Sequence, residues 1–250
     1  MRPFLMSVVS PSNHWMFIAS NGGLTAGRKN PQYALFPYYT DDKLTELADT
    51  TGSKTILRIA ANGNVYLWEP FSDRNNDRHT ITRNLYKNLQ GNKVMFEEIN
   101  QSLALTFQYR WTTGDEFGFI KIAELLNHSD NDYHITVLDG LQNVMPYGIN
   151  SQLQMTTSNL ADAYKRTELV KHSGLAIFAL SAIIVDKAEP SEALKANLAW
   201  SLGLPNPTYL LSSLQLNNFR NNQPIQEEYD VKGEKGAYFI HAELDRKSVV

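Results

Sequence analysis

The sequence contains no cysteine, and this absence excludes disulfide bonds, thiolate metal sites and cysteine nucleophiles. It also suits a reducing compartment. No stretch approaches the roughly 18 consecutive apolar residues that a membrane-spanning helix needs. The N-terminal segment MRPFLMSVVSPSNHW has a single basic residue and a broken apolar run, unlike a secretion signal. We therefore expect a soluble, cytoplasmic protein with no membrane partner.

A strong charge of either sign is also absent. The formal net charge is -3 and the isoelectric point is near 6.1, which gives no electrostatic footprint for nucleic acid. Hydrophobic residues make up 42% and charged residues 20% of the 250 residues, so the chain can build a full core. No repeat, low-complexity tract or flexible linker marks a boundary. We predict one domain over residues 1–250.

Catalytic motifs are missing as well. The stretch GGLTAGRK at residues 22–29 has the glycine spacing of a phosphate loop, but Arg28 replaces the lysine and Asn30-Pro31 blocks the helix that must follow. The histidines form neither HxH nor HExxH, so we predict no metal and no cofactor. The adjacent pairs Asp41-Asp42 and Glu97-Glu98 would point to opposite faces of an extended chain, which argues against a carboxylate dyad.

Short strand signals follow one another along most of the chain. Apolar runs on both sides of Asn62-Gly63 predict a β-hairpin. Between Leu103 and Trp111, large apolar residues alternate with smaller or polar ones, as in a half-buried strand. Two more strands are predicted over residues 116–126 and 133–144, and the polar turn between them has hairpin spacing. Similar apolar runs occupy residues 15–18, 174–185 and 237–244.

Helical periodicity is confined to two stretches. Residues 156–170 offer a threonine or serine cap followed by apolar residues at helical intervals. Residues 190–202 begin with Pro-Ser, place leucines four apart and end before Gly203. The polar stretch 217–236 is predicted to be a loop. The whole pattern predicts a mainly β protein, a large antiparallel sandwich with two helical insertions.

One part of the sequence resembles a known family. The stretch SNGGLTAGRKNPQYALFPYYTDDK at residues 20–43 and the later hairpin ending in Leu67-Trp68-Glu69-Pro70 carry the resemblance. Together they resemble the N-terminal region of cellobiose-phosphorylase-like proteins, the glycosyltransferase 36 family. Those proteins open with a glycine-rich SN-G turn and show a later G-x-x-W-x-P hairpin. The stretch IKIAELLNHS at residues 120–129 is similar to the family's strand ending in L-x-N-x-S.

The resemblance implies a β-supersandwich of the galactose-mutarotase type. It also implies that the catalytic acid and the phosphate-binding residues lie in a following (α/α) toroid, so no catalytic residue of the family carries over to this chain. On this interpretation the chain is a non-catalytic, carbohydrate-associated N-terminal domain of a glycoside phosphorylase- or hydrolase-like protein. Its expected partners are a carbohydrate, the C-terminal catalytic domain and a second copy in a homodimer, and it would help to form the substrate entrance.

Six residues are candidates for a surface that meets sugar or the partner domain. Flat aromatic rings suit the C–H faces of sugars, although large aromatic residues more often fill cores, and exposed charges are commonly only solvated. The candidates are Arg28, Lys29, Tyr38, Tyr39, Asp42 and Trp68.

Two alternative functions stay open at this point. A stand-alone mutarotase-like or lyase-like enzyme needs a histidine beside a carboxylate in a cleft, and His134 and His241 are the histidines in predicted strands. A structural oligomerisation module would instead show a large exposed apolar face and no cleft.

Overall fold

Most of this chain folds into β-strands. The computed structural model describes residues 3–61, 63–74, 77–130, 132–156, 158–184 and 193–245. In chain order the strands are β1 (Leu5–Val8), β2 (His14–Ala19), β3 (Leu24–Arg28), β4 (Ala34–Phe36), β5 (Gly52–Ala61), β6 (Asn64–Trp68), β7 (Ile81–Lys87), β8 (Val94–Asn100), β9 (Leu105–Gly114), β10 (Gly118–Asn127), β11 (His134–Val144), β12 (Lys165–Val170), β13 (Leu175–Leu180), β14 (Asn197–Ala199), β15 (Thr208–Leu210), β16 (Asp230–Lys232) and β17 (Gly236–Asp245).

The helices of the described residues are short. A 3-10 turn covers Pro31–Tyr33, and the α-helices are α1 (Asp41–Glu46), α2 (Ser151–Thr156), α3 (Ser158–Tyr164) and α4 (Leu216–Arg220). Within the described part of the chain, no helix has the length and apolar character needed to cross a membrane. The predicted mainly β class is confirmed.

The strands are paired in antiparallel fashion and form four sheets. The N-terminal sheet has the order β1-β2-β3-β4, the meander sheet β10-β9-β8-β7, the central sheet β15-β17-β11-β5-β6 and the fourth sheet β14-β13-β12-β16. The predicted antiparallel pairing is therefore confirmed. The predicted supersandwich is not what forms, because the strands pair into four separate sheets of four or five strands and these sheets make a propeller-like ring.

One continuous apolar cluster contains residues from all four sheets. Phe36 comes from the N-terminal sheet, Trp111 from the meander sheet, Ile59 from the central sheet and Phe178 from the fourth sheet, and each side chain is almost completely buried. Burial of this cluster removes a large apolar area from water, which is the main favourable term in folding.

A second apolar cluster lies on the opposite face of the central sheet. Successive residues of a strand point to opposite faces, so Leu57 joins the first cluster and Ile56 the second. The helix α4 covers this second cluster with Leu216 and Phe219. This packing brings α4 beside β5 and β6, and the arrangement positions one of the candidate sites described below.

Two predicted hairpins have different outcomes. The Asn-Gly hairpin is confirmed, since β5 pairs with β6 and Gly63 adopts φ 76°, although Asn62 itself lies outside the described residues. The hairpin between residues 116–126 and 133–144 is wrong. Both strands form, but β10 pairs with β9 while β11 pairs with β5 and β17. The more buried β11 takes an interior position in its sheet, and the half-exposed β10 takes an edge.

The first predicted helix, over residues 156–170, is correct only in its first part. The helix α3 ends at Tyr164 and β12 begins at Lys165. Lys165, Thr167 and Leu169 are buried while the residues between them are less so, which is the period of two that a strand produces. The preceding helix α2 was not predicted.

The second predicted helix, over residues 190–202, is wrong over residues 193–202. Residues 190–192 lie outside the described residues, and the remainder contains the edge strand β14 instead. Leu194 and Leu202 are 87% and 91% exposed, so the four-residue leucine spacing does not pack a helix face. The stretch 217–236, predicted to be a loop, contains most of α4 and all of β16.

Candidate functional site

The basic pair predicted as a contact site lies at the end of β3. Arg28 is exposed, and its Nε and Nη2 atoms each donate a hydrogen bond of 3.3 Å to Oδ1 of Asn13. Lys29 is also exposed, and its ammonium nitrogen lies 5.7 Å from the centroid of the Tyr33 ring. The pair therefore stands beside an aromatic ring on the surface.

The predicted tyrosines lie in the segment between β4 and α1. Tyr38 is exposed and meets the Trp15 ring edge-on at 5.6 Å between centroids. Tyr39 is half-buried, and the ammonium group of Lys43 lies over its ring, 4.6 Å from the ring centroid. Burial and the charge of Asp162 raise the pKa of the Tyr39 hydroxyl.

The predicted acidic residue lies in the first turn of a helix. Asp42 is exposed in the first turn of α1, where its carboxylate accepts a hydrogen bond of 2.8 Å from the backbone N–H of Lys43. A side-chain hydrogen bond from Thr40, together with this backbone bond, lowers the pKa of the Asp42 carboxyl. A carboxylate at this position favours the helix through the helix dipole. These contacts give Asp42 a structural role in α1.

Trp68 lies in the core and not on the surface. Trp68 is only 2% exposed. Its Nε1–H donates a hydrogen bond of 2.7 Å to Oε1 of Glu98. Glu98 also accepts bonds of 2.7 Å from the backbone N–H of Phe71 and from Nε of Arg83. A buried indole that supports a buried carboxylate has no face left for a sugar ring.

The aromatic surface is defined here as Trp15, Phe17, Tyr33, Tyr38 and Tyr147. Trp15 contacts Phe17 at 6.2 Å between ring centroids, and Tyr33 lies 6.0 Å from Tyr147 with the ring planes 41° apart. All five rings are exposed or half-buried. A set of partly exposed rings offers apolar faces to a ligand with C–H groups.

A glycine in β3 makes room for the Trp15 ring and for the backbone at Tyr33. A Cβ atom at Gly27 would lie 2.6 Å from Cζ2 of Trp15 and 2.5 Å from the carbonyl oxygen of Tyr33. Both distances are far below a van der Waals contact. The absence of a side chain at this position therefore lets the Trp15 ring and the backbone of the 3-10 turn pack closely against β3.

Polar groups hold the aromatic surface in place and border it. Gln32 donates a hydrogen bond of 2.9 Å from Nε2 to Oγ of Ser151, and the backbone N–H of Ser151 donates one of 3.2 Å to Oε1 of Gln32. This reciprocal pair fixes the 3-10 turn against α2. The ammonium group of Lys195 lies 5.2 Å from the centroid of Tyr147, so a lysine stands beside each ring of the Tyr33 and Tyr147 pair.

A groove of about 680 Å³ lies in a different place, between α4, the β5–β6 hairpin and the segment after β6. This volume is within the range of small-molecule sites. The charged side chains in its lining are all arginines, namely Arg58, Arg74, Arg78 and Arg220. We call this feature the arginine groove. None of its lining residues was a sequence candidate.

Behind the arginine groove lies a buried ion network. The Lys54 ammonium group is paired with the carboxylates of Asp49 and Glu69. The Arg220 guanidinium donates to both oxygens of Glu69, at 2.9 and 2.8 Å. Burial alone would raise the pKa of Glu69, but the hydrogen bonds and charges of Arg220 and Lys54 outweigh it and lower this pKa. The network thus anchors one wall of the groove.

No family model matches this chain. No curated protein matches it either.

The histidines proposed for an enzymatic site do not line the groove. His134 is half-exposed, and its Nε2 atom lies 4.0 Å from Oε2 of the exposed Glu243. The Nδ1 atom of His241 is 3.0 Å from Oγ1 of Thr208, and its ring packs against Phe219. Burial and the charge of Arg58 lower the pKa of His241. In the described part of the chain, His and acidic side chains form no group that could hold a metal ion.

Proposed function

We propose that this chain is a non-catalytic, carbohydrate-associated domain of a glycoside phosphorylase- or hydrolase-like protein. The observation that carries the proposal is the aromatic surface. Its exposed and half-buried rings offer flat apolar faces, and Lys29 and Lys195 beside them supply hydrogen-bond donors for hydroxyl groups. This combination suits a sugar, which has apolar C–H faces and polar hydroxyl edges.

The proposal assigns the catalytic step to another part of the protein. The candidate acids and bases support this division, because Asp42 stabilises α1 and neither His134 nor His241 lines the arginine groove. A partner catalytic domain, of the toroid type that the resemblance implies, would complete the active site. The aromatic surface would then guide a carbohydrate toward the entrance of that site.

The proposal is tested by glycan binding to the chain. We expect a glycan array to retain the protein on neutral β-linked oligosaccharides and calorimetry to detect cellobiose. Replacing Tyr33 with Ala removes a ring that is 41% exposed and should weaken binding about fivefold, since a stacked ring contributes about 1 kcal/mol. Tyr147→Ala should have a similar effect.

A matched control is available elsewhere on the surface. Tyr229 is 41% exposed, as Tyr33 is, and it also has a lysine over its ring. The ammonium nitrogen of Lys171 lies 3.8 Å from the Tyr229 ring centroid. Tyr229→Ala should leave sugar binding unchanged. Retention of no glycan at all, or equal affinities for Tyr33→Ala and Tyr229→Ala, would contradict the proposal.

We also propose that the edge strand β14 forms a homodimer contact. Leu198 is exposed on this edge, Trp200 is exposed directly after it, and the exposed Phe117 ring lies 6.1 Å from that of Trp200. An apolar edge strand with free backbone groups is suited to pair with a second copy. We expect sedimentation velocity to show a dimer that Leu198→Glu with Trp200→Glu converts to a monomer. A wild-type monomer at high concentration would exclude this contact.

A further inference from the structure

We propose that the arginine groove is a binding site for a phosphorylated small molecule. The inference is independent of the aromatic surface, because the groove is built from other elements: β5, β6, the segment that follows β6, and α4. It rests on three features of the groove, which are an excess of cations, guanidinium groups already held in position, and a volume suited to a small ligand.

The groove and the network behind it carry more positive than negative charge. Five cations stand against three carboxylates in this region. The cations are Arg58, Arg74, Arg78, Arg220 and Lys54, and the carboxylates are Asp49, Glu69 and Glu243, whose charge acts on Arg58. Arginines in close proximity repel one another, so an anion bound between them would relieve this repulsion.

Arg58 shows the imbalance most clearly. Its side chain is half-buried, yet it forms no ion pair within 4 Å with any described residue. Burial lowers the pKa of its guanidinium, and the charge of Glu243 opposes this effect. This guanidinium lines the groove with no carboxylate paired to it among the described residues, so it is available to a ligand anion. Arg78 is exposed and likewise has no ion pair to a described residue.

Two of the guanidinium groups are fixed before any ligand arrives. The Arg58 guanidinium carbon lies 4.7 Å from the centroid of the Phe219 ring, so the plane of the group is supported by an aromatic face. Arg220 is held by Glu69 and donates a further bond of 2.8 Å to Oδ1 of Asn217. Groups held in this way lose little conformational entropy when a ligand binds.

The chemistry of the lining favours phosphate. A guanidinium group presents parallel N–H donors that match two oxygens of a phosphate group, and several arginines can share its charge. The amides of Asn221 and Asn222 add donors and acceptors that suit hydroxyl groups on the rest of the ligand. Val65 and Leu67 supply an apolar wall. A hydroxylated organic phosphate fits this combination.

Calorimetric titration with glucose-6-phosphate at low ionic strength tests the inference, with glucose as the uncharged comparison. We expect glucose-6-phosphate to bind and glucose not to bind. Arg58→Gln and Arg78→Gln should each weaken the phosphate ester about tenfold or more, because each removes charge-assisted hydrogen bonds. Arg58→Lys, which keeps the charge and loses the planar fork, should weaken it as well. Raised salt should weaken binding by the wild type.

Arg110→Gln is the control, because Arg110 is exposed on β9 outside the groove and the substitution makes the same change in charge. This variant should bind like the wild type. Arg78 is exposed, so Arg78→Gln should fold normally. This variant therefore tests the inference even if Arg58→Gln folds poorly. Absence of binding by the wild type, or equal affinities for Arg78→Gln and Arg110→Gln, would overturn the inference. Citrate binding as tightly as glucose-6-phosphate would overturn the assignment to phosphate.

Discussion

Replacing Glu69 with Gln should cost about 3 kcal/mol of folding free energy, because the substitution removes the central negative charge of the buried ion network. The Glu69 side chain is fully buried and pairs with both Arg220 and Lys54. Removing one partner of a buried ion pair costs about 3–5 kcal/mol, and we take the lower end because glutamine keeps the shape and one acceptor oxygen. That loss is a large share of the 5–15 kcal/mol by which domains are usually stable.

Urea denaturation followed by circular dichroism measures this loss. At a slope of about 3 kcal/mol per molar urea, the midpoint should fall by about 1 M. Glu168→Gln is the matched control, since Glu168 is partly exposed and its pair with Arg166, at 2.9 Å, lies on the surface. Surface pairs contribute about 0–1 kcal/mol. Equal losses for Glu69→Gln and Glu168→Gln would refute the assignment of a buried, stabilising network.

The same comparison has a defined pH dependence. The folded-state pKa of Glu69 is lowered below its ordinary value, so its contribution is fully present above about pH 4.3, the ordinary glutamate value. The contribution is lost as the pH falls through the folded-state pKa. The stability difference between wild type and Glu69→Gln should therefore be constant near neutrality and shrink in acid. A difference that grew on acidification would contradict this sign.

Further predictions concern single positions in the core and in turns. Trp68→Phe should cost about 1.5–3 kcal/mol in urea denaturation by removing the hydrogen bond to Glu98, and should leave sugar affinity unchanged in calorimetry. Gly140→Ala should prevent folding or lower the melting temperature severely, because the new Cβ would lie 2.0 Å from the carbonyl oxygen of Tyr238. The new Cβ of Gly63→Ala would have no atom within 4 Å. This substitution should therefore cost only about 1–2 kcal/mol of folding free energy, because alanine is strained at the positive φ of this position. Equal melting temperatures for the two glycine variants would contradict the packing.

Local patterns predicted the long buried strands, because those strands carry an alternating apolar signal, but they missed β12 and the short edge strands β14 and β16. Leu105, Phe107, Tyr109 and Trp111 are all buried on β9, as their alternation with less apolar residues indicated. Grouping of strands into sheets depends on contacts between distant segments, and no local pattern encodes it. The supersandwich and the hairpin between residues 116–126 and 133–144 were wrong for this reason.

The helix errors show how similar spacings can arise for different reasons. Leucines four apart at residues 194–202 mark an exposed edge, whereas the helix α4 buries Leu216 and Phe219 at a spacing of three. Leu216 and Phe219 lie in or beside a stretch rich in asparagine and glutamine. That polar composition predicted a loop and hid the helical spacing of the two apolar residues. Exposure decides between such cases, and a sequence does not give exposure directly.

The candidate sites were predicted only in part. Tyr38 and Lys29 belong to or border the aromatic surface, but Tyr147 comes from a distant segment and was not a candidate. The arginine groove draws Arg58 and Arg220 from segments that are far apart in the chain. No short motif could predict that they face one cavity.

Chemical-shift mapping with cellobiose tests the central claim most directly. The indole N–H of Trp15 is buried without a hydrogen-bond partner among the described residues, which gives the aromatic surface a well-placed reporter. We predict that the largest shifts occur at this indole and at the backbone amides of Tyr33 and Tyr147. An unchanged spectrum at saturating cellobiose, or shifts confined to residues outside the aromatic surface, would contradict the proposal that this surface binds carbohydrate.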